Sequence, residues 1–451
     1  MSRNCYSTVM MTDSVQYAIS GHDAASVTRS FERGVRTGAL RPGDTVPSVR
    51  ALARELSLSP STVAAAYRDL RQRNVLVSHD RSRTVVAHRP PLPVRLGAQL
   101  PAGAVDLATG NPDPTLLPTI GSFDAVIDHK RRLYGTEVTD EALAGLARDA
   151  CEADGVAADH LTVVGGGLDG IERALEVHCR AGDRVAVEDP GYAGTFDLIR
   201  ALGLIPLPVE IDNEGMLPDA LDEALDDSVQ ALIHVPRAQN PYGSVTSSAR
   251  AAVLRERLAD HPEVLVVEDD HAAALAEAPL ASLTTDREQW AVVRSLAKTL
   301  GPDLRVAIMV GDEDTLMRVQ GRQRLGTGWV SHVLQQTAAG TWQAANADGT
   351  FEHAATTYTA RREALLTALQ AQELVGHGVS GLNVWIPVAE EVPVVQGMLA
   401  NGWAVQAGEP YRINADPGIR VTTAALPIER AEAFVRDLTD VLGQRLDTRR
   451  G

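Results

Sequence analysis

The chain has 451 residues, of which 44% are hydrophobic and 22% are charged. This length and composition predict two or more domains that each bury a core. The net charge of −17 disfavours nucleic-acid binding by the surface as a whole. Three widely spaced cysteines exclude a disulfide framework and a zinc motif, so we expect no metal site. We find neither a signal peptide nor an apolar run long enough to span a membrane, and we expect a cytoplasmic protein.

Charge is distributed unevenly along the chain. Residues 20–90 contain 12 arginines, no lysine and 6 acidic residues, a net charge of +6, so the remainder carries −23. The proline cluster at residues 90–93 disfavours helix and predicts a stiff spacer. These features predict a basic domain at residues 20–89, a linker at 90–103 and an acidic domain at 104–451. The basic domain alone is expected to bind a polyanion.

The basic domain is predicted to contain three helices, at residues 24–37, 49–55 and 62–73, and a hairpin of residues 75–77 and 84–86. A short second helix, a tight turn and a third helix are typical of a helix-turn-helix, whose third helix enters the major groove of DNA. The alternative is an unrelated three-helix bundle. We expect the core side of the third helix to use Val63, Ala66, Tyr67 and Leu70. The candidate DNA contacts are Ser48, Arg50, Ser59, Ser61, Thr62, Arg68, Arg71, Arg81 and Arg83.

Residues 40–70, LRPGDTVPSVRALARELSLSPSTVAAAYRDL, resemble the GntR-type winged helix. That family has the pattern G-x-x-L-P-S-x-R-x-L-A followed by S-x-x-T-V-x-x-A-Y-x-x-L. The resemblance implies binding to double-stranded operator DNA. The sequence departs from the family at Asn74, where Gly is usual, and in the wing at residues 80–84, which lacks the usual glycines. Asn tolerates a left-handed backbone better than most residues, so the turn is compatible with the fold.

From residue 104 the sequence alternates between short apolar strands and amphipathic helices. This alternation predicts an α/β domain with a largely parallel sheet. Predicted strands include residues 161–164, 184–187, 231–235, 264–267, 291–294 and 307–310, and predicted helices include 169–179, 193–202 and 247–259. The last 90 residues or so predict a smaller α+β subdomain with helices near 358–371, 392–401 and 429–442 and strands at 382–386 and 418–422.

Lys298 is one of two lysines in the chain, whereas there are 40 arginines. Lysine can lose its proton and act as an amine nucleophile, which arginine cannot do. A glycine-rich turn at residues 165–170 follows a strand and precedes a helix, as in phosphate-binding turns, although a plain tight turn explains it equally well. Three further segments follow predicted strands: residues 187–192, 236–243 and 266–271. The carboxyl ends of parallel strands are where α/β proteins build their sites.

The order and spacing of these segments closely resemble the fold-type I aminotransferases over residues 104–445. The resemblance implies pyridoxal 5'-phosphate as cofactor and Lys298 as its Schiff-base lysine. It implies that Asp269 pairs with the ring nitrogen, Asn240 contacts the ring oxygen and Tyr192 stacks on the ring. The implied phosphate ligands are Gly166, Gly167, Leu168, Ser295 and Arg305. Arg420 matches the arginine that grips an α-carboxylate, for which a bidentate guanidinium is suited; a surface salt bridge is the alternative.

His271 is a departure from this pattern. The family usually places a tyrosine close after the ring aspartate, where it bonds the ring oxygen. Imidazole also donates a hydrogen bond, but its charge changes near neutral pH. Cofactor attachment survives this change, whereas efficient transamination is not expected.

A GntR-type domain joined to an aminotransferase-like body is the layout of the MocR/GabR-type regulators, which the whole chain resembles. The resemblance implies a homodimeric transcription factor with swapped DNA-binding domains, associated with the nucleoid when bound to DNA. Its effector is then an amino acid, an amine or a vitamin B6 compound. Two alternatives remain: a working aminotransferase or lyase that carries a DNA-binding domain, and a sensor of pyridoxal phosphate itself. Effector control requires different affinities for two conformational states.

Overall fold

The computed structural model describes residues 18–36, 39–72, 75–79, 83–86, 100–101, 103–121, 128 and 132–448. The chain divides into two compact units, Met1–Arg95 and Leu96–Gly451. Most of the predicted linker at residues 90–103 lies outside the described residues.

The N-terminal unit is a winged helix-turn-helix. Its helices are α1 (Ala24–Arg36), α2 (Val49–Glu55) and α3 (Pro60–Gln72), and its wing pairs the antiparallel strands β1 (Leu76–His79) and β2 (Arg83–Val86). The four residues predicted for the core side of α3 are all buried, namely Val63, Ala66, Tyr67 and Leu70. Tyr67 packs edge-on against Phe31 at 5.5 Å, and its hydroxyl donates to the Pro47 carbonyl at 2.6 Å. This tyrosine therefore joins all three helices, since Pro47 leads into α2.

The C-terminal unit is built on a mixed, largely parallel sheet. Within the described residues this sheet holds eight strands in the order β4-β11-β10-β9-β8-β5-β6-β7. The strands are β4 (Leu161–Val164), β5 (Arg184–Asp189), β6 (Ile205–Asp212), β7 (Gly215–Met216), β8 (Ala231–His234), β9 (Leu265–Asp269), β10 (Trp290–Ser295) and β11 (Ala307–Gly311). The central strands pair in parallel, whereas β11 is antiparallel to both of its neighbours and β7 is antiparallel to β6.

Helices cover both faces of this sheet, as the side chains of β8 and β9 show. Ile233 and Leu265 pack into one core cluster, whereas Leu232 and Val266 pack into another. Successive residues of a strand point to opposite faces, so both faces are buried. The helices are α4 (Glu141–Ala153), α5 (Gly167–His178), α6 (Ala193–Ala201), α7 (Pro218–Asp226), α8 (Ser248–Ala259), α9 (Glu313–Arg324) and α10 (His332–Ala347).

A smaller α+β subdomain completes this unit. Within the described residues its sheet has the order β12-β14-β13-β3, with β3 (Val105–Leu107), β12 (Asn383–Pro387), β13 (Trp403–Ala407) and β14 (Gly418–Thr422). Its helices are α11 (Thr350–Ala371), α12 (Glu391–Ala400) and α13 (Ala431–Thr448). Among the described residues, none of the helices combines the length and the apolar character that a bilayer crossing requires.

Candidate functional site

Lys298 lies three residues after β10 and points its amine at the segment that follows β3. The Nζ atom donates to the carbonyl oxygen of Gly110 at 2.5 Å. Burial, and then the positive charge of Arg420, lower the pKa of Lys298 to about 8. A lysine in this state is a far better nucleophile at neutral pH than a solvated lysine, because only the neutral amine attacks a carbonyl.

Asp269 ends β9 and has an unsatisfied oxygen. The side chain is buried, and its Oδ1 atom has no hydrogen-bond partner within the described residues. Burial, and then the negative charges of Asp270 and Glu188, raise the pKa of Asp269 to about 7. A buried acceptor without a donor is rare in a folded protein, and at a ligand site the ligand supplies the donor. A protonated ring nitrogen is such a donor.

Asp270 is satisfied by protein contacts instead. Its two carboxylate oxygens each accept a hydrogen bond at 2.9 Å from Arg237, and the Arg294 guanidinium lies 3.0 Å away. Both arginines also bind Asp154. This closed cluster leaves Asp269, and not Asp270, as the carboxylate available to a ligand.

The glycine turn connects β4 to α5 and lies against two of the predicted phosphate ligands. Gly166 has φ of +118°, and a Cβ atom there would lie 2.5 Å from Nη2 of Arg305. A Cβ atom on Gly167 would lie 3.4 Å from Cβ of Ser295 and 3.9 Å from Oδ1 of Asp269. The amides of Gly167 and Leu168 lie in the first turn of α5, where helical geometry provides no intrahelical acceptor. Free amides, a hydroxyl and a guanidinium together make an anion site.

Arg420 lies on β14 and is 2% exposed. Its Nη1 atom donates to Oδ1 of Asn240 at 3.2 Å, and its Nη2 atom donates to the Ala108 carbonyl. The guanidinium carbon lies 4.7 Å from the centre of the Tyr411 ring. Arg420 is therefore a buried cation held by acceptors and an aromatic face, and not a surface salt bridge. Because the side-chain oxygen of Asn240 already accepts a hydrogen bond from Arg420, the NH2 group of Asn240 is the part that faces other acceptors.

Tyr192 precedes α6 and is 37% exposed. Its ring covers Gly194, where a Cβ atom would lie 2.6 Å from the Tyr192 ring. Burial, and then the neighbouring Tyr411, raise the pKa of Tyr192, and the charges of Arg420 and Asp269 also act on it. The structure therefore brings this ring near the carboxylate and the arginine that the sequence assigns to the same site.

His271 is neutral at physiological pH. Burial, and then the positive charge of Lys298, lower its pKa to about 4. A neutral imidazole has one N–H donor and one acceptor nitrogen, whereas the usual tyrosine offers a hydroxyl. His271 thus lies within electrostatic reach of Lys298 without adding a positive charge beside it.

Three contributors to the site were missed from the sequence: the carbonyls of Ala108 and Gly110 and the ring of Tyr411. Gly110 has φ of +73°, and a Cβ atom there would lie 3.3 Å from Nη2 of Arg420. The signal that was available is the Gly110-Asn-Pro112 sequence shortly after the apolar pair Leu107-Ala108, since this combination marks a turn. The Tyr411 contact has no such signal.

In the N-terminal unit, two of the candidate DNA contacts act as helix caps. The Ser48 hydroxyl accepts from the Ala51 amide at 3.2 Å, and the Ser59 hydroxyl accepts from the Thr62 amide at 3.1 Å. The Ser59 hydroxyl also lies 2.8 Å from that of Ser61. These hydroxyls are exposed, so capping leaves them accessible to a phosphate.

The arginine candidates differ in what the structure shows. The side chains of Arg50, Arg68 and Arg71 are exposed. Arg81 lies outside the described residues, and for Arg83 only the backbone, at the start of β2, is described.

Comparison with known proteins identifies both units. Residues 24–86 match the model of the bacterial regulatory proteins of the gntR family. The chain is 36% identical over 435 residues to the vitamin B6 salvage pathway transcriptional repressor PtsJ of Salmonella typhimurium, an alignment that spans 94% of this chain and 100% of PtsJ. The chain belongs to the MocR-type GntR regulators. It is thus a transcriptional regulator, and the regulator interpretation is favoured over that of an aminotransferase with a fused domain.

A second curated relative and a solved structure are also similar to this chain. The chain is 27% identical to the pyridoxine biosynthesis transcriptional regulator PdxR of Corynebacterium glutamicum, over 60% of this chain and 63% of PdxR. Among solved structures it resembles LysN, the α-aminoadipate aminotransferase of Thermus thermophilus, with a TM-score of 0.68 and 23% identity over 77% of this chain and 94% of LysN. The predicted fold class, a winged helix joined to a fold-type I aminotransferase-like domain, is confirmed.

Proposed function

We propose that this regulator binds pyridoxal 5'-phosphate at Lys298 and controls operator DNA according to the state of that site. The observation that carries the proposal is the unsatisfied, buried Oδ1 atom of Asp269. It lies beside a glycine turn suited to a phosphate and in the same site as a lysine whose pKa is lowered to about 8. Pyridoxal phosphate supplies an aldehyde for the amine, a ring nitrogen for the carboxylate and a phosphate for the turn.

Each predicted residue then has a role that its contacts support. Asp269 accepts the ring-nitrogen proton, and the Asn240 NH2 group donates to the ring oxygen, with the neutral His271 nearby. Tyr192 covers the ring face. The phosphate is held by the amides of Gly166, Gly167 and Leu168 together with Ser295 and Arg305.

For the effector, we favour a vitamin B6 compound over an amino acid. PtsJ and PdxR are both named for vitamin B6 pathways. In addition, Arg420 already donates to Asn240 and to the Ala108 carbonyl and lies on the Tyr411 ring. An amino-acid carboxylate competes with these contacts at the two Nη atoms, which reduces the net gain from binding it there, whereas the Nε atom of Arg420 has no hydrogen-bond partner among the described residues. Arg420 remains the residue that would hold such a carboxylate.

The test measures operator affinity as pyridoxal phosphate is added. In the experiment, apo protein is titrated into labelled DNA from the region upstream of its own reading frame, with and without the cofactor. Fluorescence anisotropy measures the binding. We expect the operator dissociation constant to change about fivefold or more, since coupling energies between sites are typically about 1–3 kcal/mol. Unchanged affinity on adding pyridoxal phosphate alone, with binding to Lys298 verified by absorption, contradicts the B6-sensing role.

Lys298→Arg is the matched variant, because it keeps the positive charge and most of the stem but cannot condense with an aldehyde. We expect the visible absorption band of the lysine-bound cofactor to disappear and the circular dichroism spectrum to stay unchanged. A retained band would show that the cofactor is attached to another residue. The other lysine in the chain is Lys130.

On the DNA side, we propose that the N-terminal end of α3 contacts the operator through Ser61 and Thr62, and that Arg50, Arg68 and Arg71 contact phosphates. All three arginine side chains are exposed, and the basic charge of residues 20–90 supports this assignment. Ser48 and Ser59 contribute through the helix ends that they cap. Arg81 and Arg83 remain predictions from the sequence.

We also propose that the chain is a homodimer with swapped DNA-binding domains. Large apolar side chains are exposed on the C-terminal unit: Leu133 is 71% exposed, Tyr134 93% and Leu325 82%. Tyr134 packs edge-on with Trp329 at 5.8 Å, so these two rings form one apolar surface. Sedimentation should give a mass of about twice 48.1 kDa. Charged substitutions at Leu133 and Leu325 should yield monomers, whereas persistent dimers would place the interface elsewhere.

Catalysis is the second candidate, favoured by the near-complete set of cofactor residues. We expect slow, single conversion of the cofactor to its amine form and no rapid turnover with a keto-acid acceptor. Rapid multiple turnover would establish an enzyme. His271→Tyr is an informative comparison, because it supplies the hydroxyl that the related enzymes place near the ring oxygen.

A further inference from the structure

A cavity apart from the Lys298 site lies in the C-terminal unit. Its volume is about 700 Å³, within the size range of small-molecule sites. One wall is formed by β5, β6 and α7, and the opposite wall by β12 and residues 414–417. None of the residues assigned to the pyridoxal phosphate site lines it, so it is a separate cavity.

The cavity is acidic. Among the described residues, its lining includes neither lysine nor arginine. It includes five carboxylates, those of Asp189, Glu210, Glu223, Asp227 and Asp416. Asp189 is satisfied by the backbone amides of residues 413–415, and Asp227 lies 3.2 Å from Arg184. Within the described part of the chain, Glu210, Glu223 and Asp416 have no ion-pair partner. These three carboxylates are exposed to solvent, and they give the cavity a negative charge that no ion pair within the described residues offsets.

Aromatic side chains form another part of the lining. Tyr242 and His377 stack with their ring centres 4.3 Å apart and their planes 20° from parallel, and Trp385 lies beside them. Burial, and then the charges of Asp212 and Glu210, raise the pKa of Tyr242 to about 12, so its phenol stays neutral. Burial lowers the pKa of His377, so its imidazole is neutral as well. The aromatic surface adds no positive charge and lies in a negative field.

We propose that this cavity binds a small organic cation, an amine or a quaternary ammonium with an apolar or aromatic body. Unpaired carboxylates supply the attraction for the charge, and neutral aromatic faces bind both a cation and an apolar body. Phosphorylated B6 compounds are repelled by the same carboxylates. This site is distinct from the one at Lys298 and goes beyond the proposed function.

The cavity is connected to the cofactor site by a short chain of contacts. The Asp189 carboxylate holds residues 413–415, and the Gly191 amide donates to the Tyr411 carbonyl at 2.8 Å. The Tyr411 ring in turn lies against Arg420. A ligand in the cavity touches both Asp189 and residues 414–417, so it bears directly on this connection.

Isothermal titration calorimetry of the full-length protein with benzyltrimethylammonium tests the proposal. This ion has no N–H and cannot condense with an aldehyde, so the measurement is independent of chemistry at Lys298. We expect saturable binding, weakened roughly tenfold in the double variant Glu210→Gln/Glu223→Gln, because each lost carboxylate removes a Coulombic attraction. Glu363→Gln, an exposed change on α11 outside the cavity, is the matched control and should bind as the wild type does.

Two further measurements define the site. Benzyl alcohol, which is neutral, should bind at least tenfold more weakly, an estimate that follows from the missing charge. Lys298→Arg should bind benzyltrimethylammonium as the wild type does. Absence of saturable binding up to about 10 mM, beyond the range of weak specific sites, would overturn the proposal. Equal affinity of the double variant, equal affinity for benzyl alcohol or loss of binding in Lys298→Arg would overturn it as well.

Discussion

The protonation of Lys298 sets how readily the site takes up an aldehyde. Its pKa of about 8 results first from burial and then from the positive charge of Arg420. Below pH 8 the amine is mostly protonated, and the neutral fraction rises about tenfold for each pH unit; above pH 8 it levels off. The rate of condensation with pyridoxal phosphate should follow the same curve.

The size of the effect can be worked out from the two pKa values. With a pKa of about 8, roughly one tenth of Lys298 is neutral at pH 7, whereas with the ordinary value of 10.5 the fraction is about 0.03%. The buried lysine is therefore enriched in the reactive form by about 300-fold, which corresponds to about 3 kcal/mol. Replacing Arg420 with Gln removes the second cause, so the pKa of Lys298 should rise and the rate at pH 7 should fall.

Stopped-flow absorption, with apo protein mixed with pyridoxal phosphate between pH 6 and 10, measures this rate. Free Nα-acetyllysine is the control, and its rate should keep rising throughout the range. The wild-type rate should level off near pH 8, and the Arg420→Gln rate at a higher pH. A wild-type rate that still rises tenfold per unit above pH 9, or a midpoint that moves down in Arg420→Gln, would refute this explanation.

Three other variants test separate parts of the argument. Gly166→Ala should weaken pyridoxal phosphate binding about tenfold or more, because its Cβ atom meets Arg305 at 2.5 Å in a strained backbone; equilibrium dialysis measures this. Asp269→Asn removes the negative charge that stabilises a protonated ring nitrogen, and it should lower cofactor affinity by a similar factor while the thermal transition stays in place. Arg68→Gln should weaken operator binding for all sequences and reduce the salt dependence by about 0.9 in log–log slope for each DNA-bound subunit, or about 1.8 for a dimer bound through both domains; an unchanged slope would show that Arg68 contacts no phosphate.

Much of the fold follows from local patterns. The burial of Val63, Ala66, Tyr67 and Leu70 follows from their helical spacing. Strands buried on both faces appear in the sequence as short apolar runs. For this reason most predicted ends of the central strands lie within one or two residues of the observed ends. Such patterns need no knowledge of distant parts of the chain.

The errors have physical reasons. Helix α11 begins at Thr350, eight residues before the predicted start at Tyr358. The prediction missed these first turns because they contain threonines, which have low helix propensity. Burial of Phe351 and Ala354 stabilises these turns. Strand β3 has three residues and pairs with β13, almost 300 residues later, so no local signal marks it. Strand β3 leads into the segment that contains Gly110. Because β3 was not predicted from the sequence, the Gly110 carbonyl was also missed as the hydrogen-bond acceptor of Lys298.

The two adjacent aspartates show most clearly what the sequence can and cannot decide. Asp269 and Asp270 are chemically identical, and the assignment of the first to the ring nitrogen rested on a resemblance. The structure separates them through contacts, because Arg237 and Arg294 neutralise Asp270 and leave Oδ1 of Asp269 without a donor. Removing one partner of a buried ion cluster leaves the remaining charges unpaired, which lowers the free energy of unfolding by about 3–5 kcal/mol. Asp270→Asn should therefore lower stability, whereas Asp269→Asn should spare stability and reduce cofactor binding; the opposite pattern would exchange the two roles.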